Sequence, residues 1–123
     1  MKHINYVVTL FEKDPDNSKI TIAFTMAINA ARKGLNPVVI LMGDAVALGA
    51  PEQIENINIG DPFASCKDML KELLEKNGQV AVCESCLLFK NMQPSDLDPR
   101  FPVIKGSDVI DLTTQAKGSI QIS

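Results

Sequence analysis

The chain has no tryptophan, one tyrosine and one histidine, and its 12 Lys and Arg residues are outnumbered by 15 Asp and Glu. At a net charge of −3, with basic residues scattered and never in a run, it lacks the electrostatic footprint of a nucleic-acid binder. Its most apolar stretches, Ile22 to Ala31 and Pro37 to Met42, are too short to span a bilayer, so no membrane partner is expected. The opening "MKHINYVVTLFEKD" has too short an apolar run for a secretory signal, which points to the cytoplasm. There, three cysteines read as reactive or buried thiols and not as a disulfide framework. Structural zinc usually takes four ligands, and three cysteines with His3 do not make a set, so no metal is expected. The sequence holds no G-x-G-x-x-G after a strand, no G-x-x-x-x-G-K-[S/T] and no G-x-S-x-G elbow. No cofactor is expected, and only Phe11 among the aromatics falls in a strand-end loop.

What is present is an alternation of short apolar runs with longer amphipathic spans over a single domain, residues 1–123. That pattern predicts an α/β protein, with a mostly parallel five-stranded sheet between helical layers. Strands are expected at Ile4 to Leu10, Pro37 to Met42, Gln79 to Cys83, Pro102 to Lys105 and Ser119 to Ile122. The second is apolar on both faces, as a central strand is; the last alternates, as an edge strand does. A first helix should begin among the caps of Asp14 to Ser18 and end at Gly34. Its polar residues Ser18, Thr21, Thr25, Asn29 and Arg32 form one narrow stripe. The apolar remainder exceeds what one sheet needs to cover, which predicts a second copy of the chain packed against it. A second helix is expected from Pro62 to Lys76 with Gly78 beyond it, and Phe63, Cys66, Leu70, Leu73 and Leu74 on one face. A short helix capped by Ser85 should run to Lys90, and a last one from Ser107 to Lys117.

Open parallel sheets gather ligands and reactive groups beyond the carboxyl ends of their strands. Here the acidic loop after Leu10, "MGDAV" after the second strand and "CESC" after the third occupy that edge. Cys83 sits at a strand-to-helix turn, where backbone N–H groups and the helix dipole favour a thiolate and lower its pKa. The same position also suits a small buried hydrophobe. Cys86 is near enough for thiol–disulfide exchange, or can point into the core beside Leu87 and Phe89. Cys66 reads as a core residue. Asp44, at the tip of the central strand, is a candidate for ligand or partner binding or for capping the next turn. Glu84 is a further candidate contact, although its carboxylate beside Cys83 should raise the thiol's pKa.

The order of "INYVVTL", an alanine-rich helix, "PVVILMGDAV", "KDMLKELLEKNGQVAVCESC" and "PVIKGSDVIDLTTQAKGSIQIS" resembles the DsrE/DsrF-like family of small sulfur-relay proteins over nearly the whole chain. The resemblance implies a three-layer α/β/α fold with a five-stranded parallel sheet, assembled as trimers or hexamers. It further implies a cysteine at the end of the third strand that accepts sulfane sulfur as a persulfide and passes it on. That role maps onto Cys83, with sulfur donor and acceptor proteins as partners. Where the family often has Arg-Gly, this chain has Lys90 and Asn91, which makes Lys90 a candidate contact. Cys86 is then either the thiol that attacks the Cys83 persulfide or a spectator. Two other readings stand beside this one: a dithiol redox protein using Cys83 and Cys86, and a non-catalytic oligomeric binding subunit with structural cysteines.

Overall fold

The computed structural model describes residues 3–123. Five strands, β1 (Tyr6–Leu10), β2 (Pro37–Leu41), β3 (Gln79–Cys83), β4 (Val103–Ile104) and β5 (Gly118–Ile122), alternate with four helices. These are α1 (Ser18–Arg32), α2 (Cys66–Glu75), α3 (Glu84–Phe89) and α4 (Gly106–Gln115). The strands form one sheet in the order β4-β3-β2-β1-β5, and every pairing is parallel. β2, buried along its whole length, is the central strand, and β5 lies at an edge. The chain moves outward from β1 to β4 and then returns to the far side of β1. Because parallel crossovers are right-handed, that reversal sends the last connection to the opposite face. Two separate cores result. One packs Val8, Leu10, Val39, Leu41, Val80 and Val82 with residues of α1, α2 and α3. The other packs Val7, Val38, Ile40, Ala81 and Ile104 against Val109 of α4. The fold is a three-layer α/β/α sandwich.

The polar stripe on α1 turns out to be a seam between two helices. The Thr21 hydroxyl lies 3.7 Å from Cys66 Sγ, and Arg32 forks onto Glu72 through two hydrogen bonds of 2.8 Å. Ile20, Ala23, Phe24, Ala27 and Ile28 are buried within the chain, and of the helix's larger apolar side chains only Ile22 and Met26 keep substantial exposure. The apolar surplus is therefore absorbed by the chain's own two-sided packing, and α1 supplies no argument for a second subunit. Asn17 caps this helix by accepting the Lys19 N–H at 3.0 Å, and Gly34 closes it in the left-handed region at φ +89°.

Other boundaries differ from expectation for identifiable reasons. α2 starts at Cys66, not Pro62, because the Ser65 hydroxyl accepts the Asp68 N–H and so caps the helix there. Phe63 instead closes a turn onto the Gly60 carbonyl. Past α2 the left-handed residue is Asn77 at φ +68°; Gly78 follows where a Cβ would come within 2.9 Å of the Leu73 carbonyl. α4 begins at Gly106 because the Asp108 carboxylate accepts the Lys105 N–H at 2.9 Å, leaving Ser107 inside the helix. A 3₁₀ helix over Gly43–Gly49, directly after β2, was not expected. No helix of the described residues is long and apolar enough to cross a membrane.

Candidate functional site

At the carboxyl edge of the sheet, three segments converge: the turn after β1, the 3₁₀ helix after β2 and α3 after β3. Gly43 leaves β2 at φ +55°, and a Cβ there would come within 3.3 Å of the Phe11 ring. Glycine thus permits both the turn and the close approach of the β1 segment. α3 packs against this 3₁₀ helix.

Cys83 is the last residue of β3, in register with Ile104, and it is also the N-cap of α3. Ser85, expected as the cap, lies inside the helix. The Cys83 side chain is only 4 % exposed, whereas Cys86 is half-buried one turn further along. All three cysteines are free. Burial pushes the Cys83 thiol above the ordinary range, contrary to the lowering expected from its position. The backbone N–H groups of Cys86 and Ser85 pull the other way, while the facing Cys86 thiol adds to the rise. Two physical facts explain the correction: α3 has only six residues and so a weak dipole, and desolvation of a thiolate outweighs two N–H contacts. The Glu84 carboxylate, suspected as the cause, is not what acts on the thiol. Cys66 lies in the first core, where burial also raises its thiol and the Thr21 hydroxyl partly offsets this, as expected of a packing residue.

Asp44 and Lys90, 46 positions apart in sequence, meet as an exposed ion pair that joins the 3₁₀ helix to the end of α3. The Lys90 ammonium holds the Asp44 carboxyl below its usual range, with Lys13 adding to the effect. Asp44 is the second residue of the 3₁₀ helix, and Met42 occupies its N-cap position. Asn91 adopts φ +58° as α3 ends. Asparagine is among the few residues that tolerate this left-handed conformation.

Sequence reasoning missed the exposed apolar side of α3. "CLLF" is a run of adjacent apolar residues, and at helical spacing they cannot share one face. Leu87 takes the core and is fully buried, while Leu88 is 58 % and Phe89 82 % exposed. Lys90 Nζ stands 5.8 Å from the Phe89 ring centroid. Also missed was a fork from Arg100 to the buried Asp98 (2.7 and 3.0 Å) and to Glu55 (2.9 Å). Because the Asp98 N–H donates to the Gly49 carbonyl, this fork fastens the segment before β4 to the end of the 3₁₀ helix. A surface groove of about 480 Å³ beside Lys67, Leu70, Lys71, Leu74 and Arg100 is lined by neither Cys83 nor Cys86. Among the described residues no group of three or more His, Cys, Asp and Glu side chains is arranged to hold a metal ion.

The fold and this edge define a class: a small three-layer α/β/α protein with a strand-end thiol at the start of a short helix. The chain belongs to the DsrE/DsrF-like family, whose sequence profile matches residues 5–122. Among solved structures it is similar to the ychN protein from E. coli, with a TM-score of 0.75 at 18 % identity, covering 95 % of this chain and 97 % of that one. It is also similar to MTH1491 from Methanobacterium thermoautotrophicum (TM-score 0.69, 15 % identity, 94 % and 97 % covered), described as a protein of unknown function. BT1422 from Bacteroides thetaiotaomicron, described likewise, gives a TM-score of 0.67 at 15 % identity over 97 % and 95 %. At these identities the likeness is one of fold. No curated protein matches the sequence.

Proposed function

We propose that this protein is a sulfur-relay carrier that holds sulfane sulfur as a persulfide on Cys83. The position of Cys83 carries the reading: it closes β3 at the sheet edge where parallel folds place their chemistry, and it is the N-cap of α3. Membership of the DsrE/DsrF-like family adds support. In the transfer, the Cys83 thiolate attacks the outer sulfur of a donor persulfide, and the donor thiolate leaves with the electron pair of the broken S–S bond. An acceptor thiolate then attacks the outer sulfur on Cys83, and the Cys83 thiolate leaves in turn. Each step is an exchange of one S–S bond for another with no net oxidation, so the chemistry needs neither metal nor cofactor.

The covered, protonated Cys83 thiol must be uncovered before it loads. α3 has a single buried anchor, Leu87, so a small opening of this helix suffices. Exposed Leu88 and Phe89 beside the Asp44–Lys90 pair offer a docking edge, apolar with a charged rim, for donor and acceptor proteins. The proposal is completed by a cytoplasmic setting, which keeps the thiols reduced, and by a homo-oligomer, a trimer or hexamer, as the family resemblance implies. The test is intact mass after brief exposure to a persulfide donor. Wild type should gain one sulfur atom that a reductant removes, and Cys83→Ser should gain none. Equal gain in both proteins sinks the assignment.

A further inference from the structure

Cys83 and Cys86 stand at the cap and third position of α3, within its first turn, and the Cys86 side chain is a neighbour of the Cys83 thiol. A Cys-x-x-Cys pair that opens a helix is the spacing at which dithiol proteins form and break a disulfide by thiol exchange. The two differ in access. At 4 % exposure Cys83 is closed to a bulky thiol, whereas half-buried Cys86 has a solvent-facing side and already touches the first core. An external acceptor reaching down to the site therefore meets the outer sulfur of a Cys83 persulfide, and the inner sulfur stays shielded from everything except its neighbour.

We infer that Cys86 is a resolving thiol that discharges a Cys83 persulfide when no acceptor takes the sulfur. This step rests on the carrier role proposed for Cys83. The Cys86 sulfur, as it gives up its proton, attacks Cys83 Sγ. The bond from Cys83 Sγ to the outer sulfur breaks, and that sulfur departs with the electron pair and the proton as hydrosulfide. A Cys83–Cys86 disulfide is left. The sulfane sulfur is reduced and the two cysteines are oxidised, so the balance closes without an added oxidant. Reopening the site takes one equivalent of an external dithiol, which becomes the disulfide in exchange. The arrangement gives the relay a release path whose exit product is sulfide and whose resting product is inert until reduced.

The experiment loads wild type and Cys86→Ser with inorganic polysulfide, removes the excess by rapid desalting, and follows intact mass and free sulfide over time. Cys86→Ala serves as a second variant, and circular dichroism melts establish that both variants fold. Wild type should lose its added sulfur, fall two hydrogens below the reduced mass and release one sulfide per subunit. Both variants should hold the added sulfur at least tenfold longer and release none. If wild type keeps its sulfur as long as the variants do, or if non-reducing electrophoresis finds the disulfide between chains, the resolving role is wrong and the carrier role stands. If no protein, variants included, gains sulfur, the carrier role itself fails and this step with it.

Discussion

Replacing Leu87 by alanine tests whether α3 is the cover over the Cys83 thiol. Leu87 is fully buried in the first core and is the only buried residue of α3. Truncating a buried leucine loses transfer energy and leaves a cavity, at about 2.7–5 kcal/mol in all. The neighbouring Leu88 and Phe89 are exposed, so the outer side of α3 can settle inward, which puts the cost near the lower end, about 3 kcal/mol. For a chain of this length that corresponds to roughly 12 °C in melting temperature. If Cys83 is reached only after α3 lifts, its labelling rate follows the opening equilibrium. At a tenfold change per 1.4 kcal/mol, 3 kcal/mol corresponds to labelling roughly 150-fold faster. The assay is iodoacetamide modification of Cys83 quantified on the Asn77 to Lys90 tryptic peptide, alongside a thermal melt. A melt that falls as expected with Cys83 labelling unchanged would show that the thiol is reached in the intact fold, and the cover would have to be abandoned.

Three further outcomes follow from the packing. Thr9, 5 % exposed in β1, has a buried hydroxyl with no hydrogen-bond partner; Thr9→Val keeps the branched shape and should raise stability by about 1 kcal/mol in urea unfolding, and a loss would mean the hydroxyl is satisfied. Gly78→Ala forces a Cβ to within 2.4 Å of a Leu73 side-chain carbon and 2.9 Å of the Leu73 carbonyl, and should cost about 1–3 kcal/mol, whereas a neutral result would mean the turn yields freely. Burial raises the thiols of Cys66 and Cys83. An unfolded cysteine titrates near about 8.5, so above that pH the unfolded chain sheds protons the folded chain keeps. The stability from these thiols is therefore complete below about pH 8 and falls as pH rises toward the folded values. Urea midpoints at pH 7 and pH 10 should separate, and the gap should shrink in Cys66→Val; an undiminished gap would assign the loss to other groups.

The strands were legible because fully buried parallel strands are written as short β-branched runs, and Pro37 to Leu41 shows it most clearly. Helix starts were less so. Ser65 and Lys105 stand at cap positions chosen by which side chain or carboxylate reaches a free N–H, and several residues in each segment had the right chemistry; Cys83 caps α3 with no side-chain hydrogen bond at all. The polar stripe of α1 misled for a related reason. Periodicity separates faces but does not say what covers them, and here Thr21 and Arg32 meet α2. At the site, the place of Cys83 and the family could be read from order and spacing. Its covered state could not, since burial at a strand end depends on which segments distant in the chain pack over it. The Asp44–Lys90 pair was similarly out of reach: each residue was singled out alone, and only the docking of α3 on the 3₁₀ helix joins them.

The most direct test of the account is the position of the added sulfur. Cys86→Ser loaded with a persulfide donor and alkylated at once should carry the extra sulfur in the Asn77 to Lys90 peptide, and tandem mass spectrometry should assign it to Cys83. Sulfur found on Cys66 instead, or on neither peptide while donor-treated control thiols take it up, would contradict the claim that Cys83 is the carrier.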